Sequence, residues 1–208
     1  MPYKSKSWKS ILSYDTNDVI KILTISDLFV LSGFGLIAPI FAVFLTDNIQ
    51  GGNIEVAGIA ATIFLLTRSI GQIPAAYIVD KIKGESDDYW SLMIGSAATC
   101  LVPLLYLTAY LPWHIYIIQL VYGFAQALTY PSWLAIFTRH IDKQKEGFEW
   151  GIYSTLTDLG GAGVAMIGGI IAQSYGFKPL FILVSIMSFI GTAWLMYIKK
   201  YLTAPRQK

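Results

Sequence analysis

Charge is what this sequence has least of. Of its 208 residues, 13% are Asp, Glu, Lys or Arg, where a soluble domain carries about 25%. Hydrophobic residues make up 55% and the mean hydropathy is +0.56. A water-soluble fold of this size has too little interior to hide so much apolar surface, so the expected solvent is lipid. The single cysteine, Cys100, excludes a disulfide scaffold. The two histidines, His114 and His140, stand isolated, so no metal site is expected, and His140, in a charged loop, is expected to be solvated. No Gly-x-x-x-x-Gly-Lys-Ser/Thr loop occurs, and Gly161-Ala-Gly163 lacks the remaining dinucleotide glycine. With no Ser–His or Cys–His arrangement either, the reading is a non-enzyme without cofactor. A net charge of +2 excludes a nucleic-acid partner of the basic-patch kind.

What is present is a series of apolar runs. They predict an all-α integral membrane protein with six spans: Val19–Leu45, Val56–Val79, Tyr89–Tyr110, Trp113–Thr138, Glu149–Gln173 and Pro179–Ile198. Most are long enough for a hydrocarbon core of about 30 Å, and only a helix satisfies its own backbone there without closing a barrel. Residues 1–18 read as a tail, 19–200 as the membrane domain and 201–208 as a second tail. The tail residues Trp8, Ile11 and Leu12, set among Lys6 and Lys9, fit a short interfacial helix or a flexible segment; no cleavable signal peptide is evident. Lysines and arginines gather on one side: Lys4, Lys6, Lys9 and Lys21, then Lys81 and Lys83, then Arg139, Lys143 and Lys145, then Lys199, Lys200, Arg206 and Lys208. The other side has Lys178 alone. This bias predicts a plasma (inner) membrane protein with both termini in the cytoplasm. Two charged loops, 80–88 and 139–147, fall on that same side.

A weak internal repeat relates residues 19–110 to 113–200. Gly33-Phe34 with Pro39 matches Gly123-Phe124 with Pro131, and Ile73–Asp80 lies on Met166–Gln173. Three spans per copy is an odd number, so the second copy is inverted, an arrangement used by transporters. Three ionisable residues fall inside spans: Asp27, Arg68 and Asp158. From the helical rise their depths are about 10, 18 and 13 Å from the basic side. A charge at the bilayer centre costs about 2.5–3.5 kcal/mol, so such residues face protein or a water-filled cavity and are candidates for substrate or proton handling. Helix capping or headgroup contact is the competing reading for the carboxylates. Gln72, Gln119 and Gln126 are further in-span polar groups, fit for interhelical bonding or for substrate. Tyr122, Tyr130 and Trp133 give the fourth span an aromatic face suited to lipophilic or cationic ligands or to lipid. In the fifth span Gly161, Ala165 and Gly169 repeat at i, i+4 and i+8, beside Gly160 and Gly168, a ridge for close helix approach or for gating.

These residues together resemble the major facilitator superfamily, in particular the amino-terminal six-helix half of a drug/proton antiporter-like member, over roughly residues 19–200. The family's loop after the second span reads Gly-x-x-x-Asp-Arg-x-Gly-Arg-Arg; here Ala76, Asp80, Lys81, Lys83 and Gly84 stand in that stretch. The resemblance implies a cytoplasmic latch formed by Asp80 and Lys81. Gly33, Gly35 and Pro39 follow the first-span Gly-x-Gly-x-x-x-Pro pattern, and Gly123 fits a fourth-span glycine, with Gln119 at the family's arginine position. Gly160, Gly168 and Gly169 match the fifth-span antiporter glycines, with Val164 and Ala165 replacing Gly-Pro. Family members have two six-helix halves. The resemblance therefore implies a half-size secondary transporter of a small-molecule substrate, coupled to protons, with Asp27, Arg68 and Asp158 as its polar centre. It would work in the lipid bilayer as a parallel homodimer or with a separate second half. The rival expectation is a membrane subunit that scaffolds or regulates a partner without transporting.

Overall fold

The computed structural model describes residues 17–81 and 84–202. The tail residues Trp8, Ile11 and Leu12, and Lys83, lie outside the described residues. The six spans form as helices: α1 (Asp18–Gly35) continued by α2 (Phe41–Asn48), then α3 (Ile54–Lys81), α4 (Ser86–Tyr106), α5 (Pro112–His140), α6 (Glu146–Tyr175) and α7 (Phe177–Leu195). A 3-10 turn, Met196–Lys200, extends α7. Five spans are long and apolar enough to cross a membrane. The exception is α5, which has the length, 29 residues, but carries Gln119, Tyr122, Gln126 and Tyr130 along its middle.

Two helix boundaries differ from the sequence reading. The first span is not continuous: a 3-10 turn, Ala38–Ile40, divides α1 from α2. Pro39 lies in that turn, where its ring and missing N–H prevent an unbroken α-helical ladder. Pro74, Pro103 and Pro131 remain within their helices. The third span ends at Tyr106 rather than Tyr110, and Leu107 and Thr108 close a turn onto Leu104 and Leu105. Local signals account for several other ends. The Asn17 side chain accepts from the Val19 N–H at 2.9 Å, and Asn53 does the same for Val56 at 2.9 Å. Gly176, at φ +80°, turns the chain from α6 into α7 in a conformation that a side chain disfavours.

The helices pack in the order α3–α5–α4–α7–α1–α6, and α1 also meets α5 across the bundle. The outermost pair, α3 and α6, share no extended interface. This pattern is unchanged when the first three spans are exchanged for the last three. The α3–α5 contact becomes α6–α1, α4–α5 becomes α7–α1, and α4–α7 maps onto itself, as inverted three-helix repeats require. Burial follows the same order: half of the most apolar stretch of α4 is buried, against 11% for α3 and for α6.

Two apolar clusters hold the bundle. One, toward the side bearing the termini, gathers Leu23, Tyr89, Leu92, Ile136, Phe137 and Ile198. The other, toward the opposite side, gathers Leu36, Phe44, Leu45, Ile115, Leu180 and Phe181. Between them α4 and α7 meet through small polar groups: Ser185 Oγ donates to the Cys100 carbonyl at 2.8 Å, and Cys100 Sγ lies 3.1 Å from Thr192 Oγ1. Where α3 crosses α5, glycine makes the approach possible. A Cβ on Gly123 would sit 2.7 Å from Thr67 Cβ and 2.9 Å from the Phe64 carbonyl oxygen.

On the terminal face the two charged loops come together. Asp88, fully buried at the start of α4, pairs with Arg139 at the end of α5. His140 Nδ1 lies 3.6 Å from Glu85 Oε1 and 3.0 Å from the Ile136 carbonyl. This corrects the expectation that His140 is solvated: its side chain is only 16% exposed, because the Glu85 loop covers it.

Two expected outcomes follow from these contacts, both read by unfolding in graded detergent denaturant. Gly123→Ala forces α3 from α5 and lowers stability by about 1–3 kcal/mol, whereas Gly163→Ala, with nothing within 4 Å of the added carbon, changes it by less than about 0.5 kcal/mol. Arg139→Ala strands the Asp88 carboxylate and costs about 1.5–3 kcal/mol. Adding Asp88→Asn to Arg139→Ala recovers part of that loss, because the stranded charge is gone.

Candidate functional site

Helical periodicity aims one polar stripe of α5 inward. Gln119, Tyr122, Gln126, Tyr130 and Trp133 recur at three- and four-residue steps and so share a face. Facing them are Asp27, Leu31 and Phe34 of α1 and Phe64 and Arg68 of α3, each set again one or two turns apart. With Ser96 and Thr99 of α4 and Tyr153 of α6, all of these but Gln119 line a cavity of about 410 Å³. A second cavity, of about 270 Å³ and more apolar, continues toward the opposite side. Its walls include Ile37, Phe41, Ala57, Ala61, Tyr106 and Gln119.

Three rings divide the two cavities and line both: Phe34 from α1, Tyr122 from α5 and Phe64 from α3. Tyr122 is sandwiched, its centroid 5.3 Å from Phe34 and 4.6 Å from Phe64, with near-parallel planes. At the terminal end an aromatic cluster of Trp133, Phe137, Trp150 and Tyr153 closes the polar cavity, its ring centroids 4.5–6.0 Å apart.

Asp27 and Arg68 occupy one cavity but are not paired. Asp27 is half-buried, and its Oδ2 accepts from the Tyr153 hydroxyl at 2.8 Å. Arg68 lays its guanidinium over the Tyr130 ring, 4.7 Å from the centroid. An arene, and not a carboxylate, holds Arg68. Gln126 Nε2 donates to Thr99 Oγ1 at 3.3 Å within the same cavity, and Gln119 Nε2 donates to the Tyr106 hydroxyl at 3.2 Å in the neighbouring one. Asp158 is exposed on α6 and does not line the cavity. It lies five residues past Tyr153, a rotation that carries it off the inward face.

The fifth-span glycines divide into two sets. Gly160 and Gly168 face α1, meeting Leu28 and Ser32 and the Leu36 backbone, whereas a Cβ on Gly161 or Gly169 would meet nothing within 4 Å. In the first span, Gly33 lies against Val184 and Met187 of α7, and Gly35 against Gly161 and Val164 of α6. Pro131 is buried within α5 and Ala165 is half-buried on α6. Of the expected latch, Asp80 and Lys81 are exposed, Ala76 is half-buried, and the Lys81 ammonium is 5.8 Å from the Tyr77 ring centroid.

Tyr153 and Thr99 are site residues that the sequence did not single out. Tyr153 meets a carboxylate 126 positions earlier, and no local pattern marks such a pairing. The buried Asp88 was visible only as one acid in a charged loop.

Comparison with known proteins agrees with this architecture. The chain superposes on the in meso crystal structure of the POT family transporter PepTSo with a TM-score of 0.74 at 14% identity. The match covers 94% of this chain and 40% of that one, so the chain spans well under half the length of that transporter. No curated protein sequence matches it. The family model for the Major Facilitator Superfamily matches residues 23–208. Six helices, their neighbour pattern and that match place this multi-pass membrane chain in the major facilitator superfamily.

Proposed function

We propose that the chain is one six-helix half of a secondary transporter for small molecules. The observation that carries this reading is a polar cavity bearing Asp27 and Arg68 between two helices, α3 and α6, that no other part of the described chain covers. Charges at that depth are costly against lipid, so a second six-helix unit completes the enclosure. That unit is a second copy in the same orientation or a separate half. The basic residues Lys81, Arg139, Lys143, Lys145, Lys199 and Lys200 on the terminal face, against Lys178 opposite, orient that face to the cytoplasm.

Asp27 is the proton-coupling group in this reading. It is the one carboxylate among the described cavity-lining residues, and the Tyr153 hydroxyl can follow its change of charge by turning from donor toward acceptor. Arg68, Gln119 and Gln126 contact substrate. Asp158 and the half-buried glycines Gly161 and Gly169 meet the second unit, where small residues allow backbones to close. Asp80 and Lys81 serve as the latch on the cytoplasmic face.

The test is uptake into proteoliposomes from a defined metabolite library under an imposed pH gradient, read by mass spectrometry. The wild-type chain accumulates at least one compound in a gradient-dependent way. Asp27→Asn abolishes the gradient dependence, and Arg68→Ala reduces uptake to that of protein-free vesicles. Undiminished uptake in both variants discards the site assignment, and no gradient-dependent uptake by the wild-type chain discards the transporter reading.

A further inference from the structure

The two cavity charges share one feature that carrier function alone does not require: each is engaged on one side only, and neither by the other. They sit on helices without an extended mutual interface, α1 and α3, and no ion pair within 4.0 Å joins them. Asp27 uses Oδ2 for Tyr153 and leaves Oδ1 without a hydrogen-bond donor, yet that oxygen is not sealed in protein. Arg68 has the Tyr130 ring across one face and no acceptor oxygen on its five N–H groups among the described residues. A ring face attracts the cation but accepts none of its in-plane hydrogen bonds. The open valences are thus an acceptor at one wall and a fork of donors at the other.

The cavity they share also has polar, uncharged side chains among its mostly apolar lining: Ser96, Thr99, Gln126 and Thr129. Trp133, buried in the same lining, has an indole N–H without an acceptor. A monocation bound at Asp27 leaves Arg68 uncompensated, and a monoanion at Arg68 leaves Asp27 so. A ligand carrying both charges compensates both groups and adds no net charge to a low-dielectric site. The cavity volume, about 410 Å³, is at the small end of the range used for small molecules, about 300–1,000 Å³.

We infer that the cavity binds a small net-neutral zwitterion, its ammonium against Asp27 and its carboxylate against Arg68. This assigns a substrate class to the transporter proposed above and rests on that reading for its role in transport. Discrimination lies in the pair of charges: removing either pole from the ligand costs at least about tenfold in affinity, or about 1.4 kcal/mol.

The experiment is calorimetric titration of the chain in lipid nanodiscs with three matched probes: leucine, 3-methylbutylamine, which lacks its carboxylate, and 4-methylpentanoate, which lacks its amine. 5-Aminopentanoate and leucyl-leucine extend the series to wider charge separation. At least one zwitterion binds tenfold or more tightly than both single-charge probes. Asp27→Asn weakens that zwitterion tenfold or more and leaves 4-methylpentanoate unchanged, while Arg68→Gln weakens it and leaves 3-methylbutylamine unchanged. Gly163→Ala, outside the cavity and with nothing within 4 Å of the added carbon, retains the preference, and the single-charge probe that each charge variant leaves unchanged controls for misfolding. Equal or tighter binding of a single-charge probe, or no binding by any zwitterion of the series, overturns the inference. Gradient-driven uptake without zwitterion binding sinks this assignment and keeps the transporter. Zwitterion binding without any uptake keeps the site and sinks the transporter.

Discussion

A carboxylate and a guanidinium held at depth in an apolar bundle constrain everything around them. Neither is tolerated against hydrocarbon without a polar or aromatic neighbour, and the surroundings answer that demand locally. Tyr153 reaches from α6 to Asp27, and Tyr130 lies under Arg68 from α5. Each charge is thereby tied to a helix other than its own, and the pair of ties draws α6 to α1 and α3 to α5. Those are also the two crossings at which glycine lets the backbones approach, Gly160 and Gly168 on one side and Gly123 on the other. Electrostatic need and close packing therefore select the same helix pairs.

The remaining helices support this arrangement rather than take part in it. The interface of α4 with α7 carries Cys100, Ser185 and Thr192 in hydrogen bonds, and the apolar clusters lie above and below. On the terminal face Arg139 and Asp88 tie the last turn of α5 to the first turn of α4. That bridge joins one three-helix repeat to the other, so the half bundle is braced to move as a unit.

Much of this is legible in the residues, and the part that is not has a single cause. Spans follow from hydropathy, and Asp27 and Arg68 follow from depth, because both depend only on position along the chain. Part of α5 is equally readable: Tyr122, Tyr130 and Trp133 read as one aromatic face, and they line the cavity together. What position along the chain does not give is rotation about a helix axis relative to a neighbour. Asp158 matches Asp27 in depth yet points out of the cavity. Gly160 and Gly161 differ by one residue, about 100° of turn, and only on the first would an added Cβ run into α1. Tyr153 is invisible as a partner until α6 is set beside α1. Proline shows the same limit: Pro39 falls where the helix breaks, whereas Pro74, Pro103 and Pro131 stay within theirs, and residue type alone does not separate the two outcomes.

The layer formed by Phe34, Tyr122 and Phe64 sets how firmly the two cavities are kept apart. Three different helices each supply one slab of a partition only two ring contacts thick. Aromatic contacts of this sort are worth about 0.5–1.5 kcal/mol apiece beyond simple burial, so prising the partition apart demands a few multiples of thermal energy and no more. Such a partition separates the two cavities by ring contacts alone, which small displacements of α1 or α3 against α5 would undo. Joining the two cavities would thus require neighbouring helices to part, and not the breaking of any strong bond.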